Sequence, residues 1–252
     1  MSVIKPMVER HEMRFEARPL EKHYETHGVL IPYSPEIITP TIEAAIQAGA
    51  FEAEEALELP FIVEPGDRVL EIGAGIGFIS TLLDRHSSVD KIVAVEANPN
   101  LMGYMAQLHD INGVTKVERK NAVLTNDETE KQTFYLREDF WMGSLSSGPN
   151  PYRATVDVPT ENLDDLIRDA EISLVVCDIE GAETFLFENA DLTGVSRVYL
   201  ELHDHVTGLN GVLALFKALE SKGFAYDPRH SSKSIVLFRH VVEDEVLRPY
   251  SG

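Results

Sequence analysis

The sequence contains little cysteine, has few basic residues for its length and lacks a long apolar run. One cysteine among 252 residues excludes an internal disulfide and indicates a reducing compartment. No run of apolar residues is long enough to cross a membrane. The charged N-terminus also lacks the apolar core of a signal peptide. We therefore expect a soluble, cytoplasmic protein with no membrane partner.

Basic residues are strongly outnumbered by acidic ones. The chain has 22 lysines and arginines against 42 acidic residues, which gives a net charge of -20. This charge repels nucleic acid, so we expect no nucleic-acid partner and a small neutral or cationic substrate. A hydrophobic content of 44% suffices for one sizeable core.

From Arg68 onward, strand patterns alternate with helix patterns. Strands are predicted at 68–72, 91–95, 115–120, 172–177, 196–202, 223–227 and 234–239, and helices at 76–85, 98–110, 161–168, 183–189 and 209–221. This alternation predicts an α/β fold with a parallel sheet covered on both faces. Only a short turn separates the last two strands, so they should form an antiparallel hairpin. We therefore assign residues 61–252 to one domain.

Residues 1–60 form an N-terminal extension in this prediction. Helices are expected at 41–48 and 51–59, and Pro60 should close the segment. The helices carry apolar positions that need a partner surface: Ile42, Ile46, Phe51 and Leu57. The extension should therefore act as a lid or as a contact in a homo-oligomer. Three nearby histidines lack metal-ligand spacing and should lie at the surface: His11, His23 and His27.

Three glycines spaced by single residues, Gly73, Gly75 and Gly77, join the first strand of the domain to a helix. Such a turn lets the backbone approach a ligand and presents the free N–H groups of a helix N-terminus. The third glycine comes one residue too early for a dinucleotide fingerprint. Glu71 precedes the turn and can hold an ammonium group. These features favour S-adenosylmethionine (SAM) over NAD.

Glu96 ends the second apolar strand, 23 residues after Gly73. This is close to the offset of about 20 residues expected for an acid that binds ribose hydroxyls. A solvated strand end is the alternative interpretation. Other strands also end in polar residues, and ligands bind beyond such ends in open α/β sheets. Crowded carboxylates and histidines at this edge are costly unless a ligand or cation uses them.

Residues 132–158 interrupt the alternation. Thr133–Arg137 and Ala154–Val158 are predicted to pair as extra strands around a long loop that carries Trp141. Long loops of this kind are more often functional than not. Trp141 is either a lid residue over a ligand or a packing residue of the strand pair.

The segment Asp178-Ile179-Glu180-Gly181-Ala182-Glu183, followed by Glu201-Leu202-His203, resembles the signature of FkbM-type SAM-dependent methyltransferases. The resemblance covers roughly residues 61–240, and the glycine turn, the Glu96-x-Asn98-Pro99 segment and the Trp141–Leu145 loop agree with it. It implies a Rossmann-like seven-stranded methyltransferase sheet that acts on a hydroxyl of a sugar or secondary metabolite. The expected cofactor-binding residues are Glu71, Gly73, Ala74, Gly75, Gly77, Glu96, Asn98, Asn121, Ala122 and Asp178.

A hydroxyl acceptor must lose a proton, so a base is needed at the site. His203 is the first candidate, because it follows Glu201 by two residues and can leave the strand on the same face. His205 and Asp178 are the further candidates. A structural role for His203 stays open, as does a divalent cation held by Asp178, Glu180, Glu201 and His203. Glu183 and Glu180 can instead cap the helix after Gly181.

Two other functions remain open on the sequence. One is a nicotinamide-dependent oxidoreductase built on the same kind of sheet, which the early third glycine disfavours. The other is a non-catalytic module that binds SAM or a nucleotide, which the crowded acidic edge disfavours. We expect the chain to be an enzyme that methylates a small molecule with SAM.

Overall fold

The computed structural model describes residues 22–242 and residue 248. The strands, in chain order, are β1 (His23–Thr26), β2 (Val29–Pro32), β3 (Asp67–Ile72), β4 (Val89–Glu96), β5 (Val117–Asn121), β6 (Val123–Thr125), β7 (Lys131–Leu136), β8 (Ala154–Asn162), β9 (Leu174–Cys177), β10 (Arg197–Glu201), β11 (Phe224–Tyr226) and β12 (Ile235–His240). The α-helices are α1 (Pro40–Gln47), α2 (Ala53–Ile62), α3 (Phe78–Arg85), α4 (Pro99–Asn112), α5 (Leu163–Ala170), α6 (Glu183–Glu188) and α7 (Asp204–Ser221).

A seven-stranded sheet forms the centre of the molecule, with the order β11-β12-β10-β9-β3-β4-β5. β12 is antiparallel to both of its neighbours, whereas β10, β9, β3, β4 and β5 are parallel. The predicted sheet and its terminal antiparallel hairpin are confirmed. Because the five parallel strands share a direction, their carboxyl ends meet at one edge of the sheet.

The apolar strands bury both of their faces. Val69 lies in the hydrophobic cluster under α1–α4, whereas its neighbour Leu70 lies in the cluster under α5–α7. Cys177 is buried in the second cluster and is a free thiol, as predicted. Neighbouring side chains of one strand therefore point into opposite hydrophobic clusters, which explains why the sequences of these strands are continuously apolar. No helix within residues 22–242 is both long enough and apolar enough to cross a membrane.

The described part of the N-terminal extension shares the core of the domain. Ile42, Ile46 and Phe51 are buried in the same cluster as Val69. β1 and β2 form an antiparallel hairpin that the sequence analysis did not predict. α2 continues through Pro60 to Ile62, so the expected stop at Pro60 is wrong and the boundary at residue 60 falls within a helix.

The remaining predictions for the extension concern the exposure of Leu57 and of three histidines. Leu57 is exposed on α2, unlike the predicted apolar positions Ile42, Ile46 and Phe51, which are buried. His23 is exposed, as expected for a surface histidine, and so is His27. His11 lies outside the described residues.

The extra strand pair is confirmed, since β7 and β8 are antiparallel. β8 also pairs in parallel with β6, which gives a small second sheet of three strands. The loop between β7 and β8 is held by the buried Arg137, whose guanidinium donates hydrogen bonds to Met142 O (2.9 Å), Ser144 Oγ (3.1 Å) and Ser146 O (2.8 Å). These bonds fix the segment that carries Trp141.

Candidate active site

The glycine turn is shaped by close packing of the chain against itself. A Cβ atom on Gly73 would lie 1.7 Å from the carbonyl oxygen of Asp178, and Gly73 has a φ of +85°. A Cβ atom on Gly77 would lie 2.5 Å from His109 Nε2, on α4. Glycine is therefore required at both positions. At Gly73 it lets the turn approach the end of β9, and at Gly77 it lets the start of α3 approach α4. Gly73 and Gly75 border the cavity above the turn, whereas Gly77 is not among the residues that line it.

We call the cavity above this turn the glycine-turn cavity. Its lining includes Ile72, Gly73, Gly75, Glu96, Ala97, Ala122, Val123, Leu124, Thr125, Phe140, Trp141, Leu145, Asp178 and Glu180. It lies at the carboxyl ends of β3, β4 and β9, where an open α/β sheet binds its ligand. The predicted residues Gly73, Gly75, Glu96, Ala122 and Asp178 are thus brought together.

Glu96 holds the turn in place. Its Oε2 atom accepts a hydrogen bond from the backbone N–H of Gly75 (2.7 Å), and its Oε1 atom accepts one from Asn98 N (2.6 Å). Burial raises the pKa of Glu96 to about 7. The carboxyl group is thus not a solvated strand end, and each oxygen keeps a lone pair for a ligand.

Glu71 lies buried at the end of β3. Its Oε1 atom accepts a hydrogen bond from Ser80 N in the first turn of α3 (3.1 Å), while Oε2 has no hydrogen-bond partner among the described residues. Burial raises the pKa of Glu71 to about 8. The side chain faces a small cavity, the inner recess, which Gly73 and Asp178 also line.

Three residues predicted to bind the cofactor support the site without lining the glycine-turn cavity. Ala74 is buried in a small cluster with Met105. Asn98 caps α4 by accepting a hydrogen bond from Asn100 N, and Asn121 donates to the carbonyl oxygens of Glu96 and Ala97. Val123, Leu124 and Thr125 also line the cavity but were not predicted, although this stretch directly follows the predicted Ala122.

A second cavity, the acidic vestibule, lies between α2 and the strand ends. It has a volume of about 460 Å³ and is lined by Ala45, Ala50, Phe51, Glu52, Ala53, Glu54, Glu55, Trp141, Asp178, Glu180, Glu201, Ser234 and Ile235. Trp141 stacks on Phe51 with ring centroids 6.1 Å apart. The vestibule shares Glu52, Trp141, Asp178 and Glu180 with the glycine-turn cavity, so the two cavities meet at these residues.

His203 is the N-cap residue of α7, because β10 ends at Glu201. Its Nδ1 atom lies 2.6 Å from Glu183 Oε1, and its Nε2 atom lies 3.3 Å from Asp178 Oδ1. Burial lowers the pKa of His203, but the hydrogen bonds with Asp178 and Glu183 outweigh this effect and raise the pKa to about 11. These contacts favour the protonated imidazole at neutral pH, which disfavours His203 as the base, and its catalytic role stays a prediction.

The same residues fit a divalent cation. Ligand atoms of Asp178, Glu201 and His203 all lie within 4.8 Å of one another, and no other such group occurs within residues 22–242. Two carboxylates and one imidazole form a donor set that suits a divalent metal. Glu183 contacts Nδ1 and so orients the ring with Nε2 toward the carboxylates, as an outer partner of a metal-bound histidine does.

The remaining acidic candidates have distinct surroundings. Glu183 lies in the first turn of α6 and accepts a hydrogen bond from Gly181 N (3.2 Å), but no side chain caps this helix, so the predicted capping bond is absent. Its contact with His203 was not predicted. Glu180 has a left-handed backbone with a φ of +50°, and burial raises its pKa to about 7. Because β10 ends early, His205 lies on the first turn of α7, is exposed and lines neither cavity.

Comparison with known proteins gives one family match. Residues 71–226 match the family described as "Methyltransferase FkbM domain". No curated protein matches the chain. The family match favours methyl transfer over the nicotinamide alternative, and it includes the glycine turn, Glu96 and the acidic segment around Asp178.

Solved structures give similar folds at low sequence identity. Trm5b from Pyrococcus abyssi has a TM-score of 0.50 and 11% identity, covering 87% of this chain and 56% of its own. A methyltransferase from Pyrococcus furiosus has a TM-score of 0.47 and 15% identity, covering 85% and 90%. M. jannaschii TYW2 in complex with AdoMet has a TM-score of 0.44 and 14% identity, covering 90% of both chains.

Proposed function

Because the chain belongs to the FkbM methyltransferase family, we propose that it is a SAM-dependent methyltransferase that methylates a hydroxyl group of a small molecule. The observation that carries this proposal is the meeting of two cavities at Asp178, Glu180 and Trp141. One cavity has the glycine turn and Glu96, which suit a nucleoside cofactor. The other is an open space for an acceptor, and its carboxylates repel the phosphates of nucleic acid.

The glycine-turn cavity offers the groups that SAM requires. Glu96 keeps lone pairs for the ribose hydroxyls, and the apolar side chains of Val123 and Leu124 offer a surface for the adenine ring. Glu71 lines the inner recess and not the glycine-turn cavity, so its predicted contact with the ammonium group of SAM is not part of this proposal. SAM supplies the methyl group when it is bound.

Methyl transfer requires the acceptor oxygen to line up with the sulfonium carbon. The O–CH3 bond forms as the S–CH3 bond breaks, the sulfur keeps the electron pair, and the hydroxyl proton leaves. Glu180 is our candidate for receiving this proton, since its side chain borders both cavities, where the methyl group and the acceptor hydroxyl would meet.

Asp178, Glu201 and His203 would hold a divalent cation beside this carboxylate. A bound cation of this kind lowers the pKa of a hydroxyl that contacts it. His203 would have to be neutral to hold this cation through Nε2, so binding of the cation would release the Nε2 proton. Glu180 lies outside the group of three ligands and so stays available for the proton.

Calorimetric titration with SAM, S-adenosylhomocysteine (SAH) and NAD tests the cofactor. We expect SAM and SAH to bind and NAD not to bind. Binding of NAD alone would replace the proposal with the oxidoreductase alternative. If SAM binds but no methyl group reaches any sugar, polyketide or amine of a broad acceptor panel, the chain is a non-catalytic binding module.

The divalent cation is tested with a chelator and two histidine variants. EDTA should abolish methyl transfer, and added Mg²⁺ or Mn²⁺ should restore it. His203→Ala should keep its SAM affinity and lose about 10²- to 10⁴-fold in rate, with partial rescue at high metal concentration. His23→Ala is the control and should keep nearly full activity, because His23 is exposed on β1 and lines neither cavity, whereas His205 Nε2 lies 3.7 Å from Glu180 Oε2. Full activity of His203→Ala would make His203 a purely structural residue.

A further inference from the structure

We propose that the methyl acceptor carries an ammonium group, which binds in the inner recess between Glu52, Glu55 and the Tyr199 hydroxyl. This inference rests on the proposed function and names the chemical class of its acceptor. The inner recess lies deep to the acidic vestibule and shares Glu52, Glu55, Asp178 and Glu201 with it. An acceptor in the vestibule can therefore extend one group into the recess.

The Tyr199 hydroxyl is the observation that points to a ligand. The side chain is only 1% exposed, and its hydroxyl has no hydrogen-bond partner among the described residues. A buried hydroxyl without a partner costs on the order of 1–3 kcal/mol. Because Tyr199 lines the inner recess, a polar group bound there would satisfy it.

The charge around the recess selects the sign of that group. Glu52, Glu55 and Glu201 line both cavities, and none of the described residues that line either cavity is lysine or arginine. Glu54, which also lines the vestibule, forms an ion pair with Lys233, and Lys233 itself does not line the vestibule. Carboxylates crowded away from solvent are costly unless a cation neutralises them. The half-buried aromatic ring of Trp141 at the vestibule wall adds a face that attracts cations.

The backbone of Glu52 also frees its side chain for this role. Glu52 is the N-cap residue of α2, yet it makes no side-chain capping bond, and its φ of +48° lies in the left-handed region. A non-glycine residue in this region costs of order 1–3 kcal/mol and is common at ligand sites. The side chain lines both the vestibule and the recess instead of capping its helix.

An organic ammonium fits this part of the site better than a metal ion does. The group of ligand atoms close enough for one metal ion contains Asp178, Glu201 and His203, but neither Glu52 nor Glu55. More widely spaced carboxylates and a phenol suit the three divergent N–H donors of an ammonium group. The metal and the ammonium group would thus occupy neighbouring positions, with the methylated hydroxyl between them.

Three sugars with one ring and different charges test this inference. SAH-loaded protein is titrated with glucosamine, glucose and glucuronate. Glucosamine should bind about tenfold more tightly than glucose, because it gains one charge-assisted hydrogen bond. Glucuronate should bind most weakly, because the carboxylates of the site repel its negative charge. Glu55→Gln should remove most of the preference for glucosamine, and Tyr199→Phe should reduce it. Glu58→Gln is the matched control, since Glu58 lies on the same helix, contacts His230 and lines neither cavity.

The outcomes separate this inference from the proposed function. Equal affinities for the three sugars, no glucosamine binding at millimolar concentration, or an unchanged preference in Glu55→Gln would each overturn the ammonium site. If SAH binds in those cases, the methyltransferase proposal stands alone. Failure of SAH to bind the unaltered protein would overturn the proposed function itself, and glucosamine titration of the SAH-free protein would still test the recess.

Discussion

Glu96 shows how one side chain can both build a site and face its ligand. Its carboxyl group accepts hydrogen bonds from Gly75 N and Asn98 N, and it lines the glycine-turn cavity. A substitution there removes a ligand contact and also two bonds that hold the turn. Stability and affinity must therefore be measured together.

We predict that Glu96→Ala weakens SAH binding by about 1–3 kcal/mol, because ribose hydroxyls are left unpaired. Trp141, the chain's one tryptophan, lines the same cavity, so the change in its fluorescence on binding measures the affinity. Glu118→Ala is the control, since Glu118 pairs with Lys91 on the surface. An unchanged SAH affinity in a folded Glu96→Ala protein would contradict a role for Glu96 in binding.

His109 links the stability of the protein to pH. It is fully buried on α4, with Nε2 3.1 Å from Ser80 Oγ, and burial together with the charge of Arg119 lowers its pKa to about 4. The unfolded chain, with an ordinary histidine pKa of about 6.5, takes up a proton first as the pH falls. This group therefore favours the folded state fully above about pH 6.5, and that advantage is lost progressively toward pH 4.

Urea denaturation at pH 7.5 and pH 5 tests this linkage. The unaltered protein should lose about 2 kcal/mol more free energy of unfolding between these pH values than His109→Gln does. Glutamine does not titrate, so other ionisable groups contribute equally to both proteins. Parallel pH dependences would mean that His109 is not held neutral by its surroundings.

At the scale of elements, the glycine turn joins β3, β9 and α3 at the candidate site. Gly73 is needed for contact between strand ends and not only for access to a ligand, because its position leaves no room for a Cβ atom next to Asp178 O. The turn therefore also sets where Asp178 lies relative to the cavities.

We predict that Gly73→Ala destabilises the fold by about 2–4 kcal/mol, from overpacking plus the strain of positive φ. Gly113→Ala is the matched control, because Gly113 has a φ of +70° but open space around a Cβ atom. It should cost only about 1–2 kcal/mol, the strain of the left-handed backbone alone. Urea denaturation measures both values, and equal losses would show that backbone strain, not the approach to β9, dominates at Gly73.

At the scale of the whole molecule, the extension and the domain share one core. Ile42, Ile46 and Phe51 pack in the cluster that contains Val69, and Phe51 contacts Trp141 beside the vestibule. α2 also supplies carboxylates to both the vestibule and the inner recess. The described part of the extension therefore forms one wall of the site through α2. Its roles as a lid or as an oligomer contact stay predictions.

We predict a single cooperative unfolding transition, in which Trp141 fluorescence and far-ultraviolet circular dichroism coincide. SAH at 100 times its dissociation constant should add about 2.7 kcal/mol of stability and raise Tm by about 5–10 °C. Loss of the fluorescence signal at a lower temperature than the helical signal would show that the extension unfolds separately. NAD at the same concentration serves as the control and should leave Tm unchanged.

The sequence by itself determined the sheet, its terminal hairpin and the glycine turn with Glu96. These features depend on local periodicity and on spacing along the chain, which the printed residues contain directly. Cys177 in the core followed from its apolar run for the same reason. The short hairpin of β1 and β2, and the passage of α2 through Pro60, did not follow, because contacts with the core override weak local signals.

Only the tertiary structure decided what the polar residues do. Glu183 and His203 lie 20 positions apart, and their contact, with Asp178 on the other ring nitrogen, raises the pKa of His203. Glu52 and Glu55 join the site from a helix that the sequence placed in a separate segment. A pKa depends on burial and on the distance between charges, and neither quantity is contained in spacing along the chain.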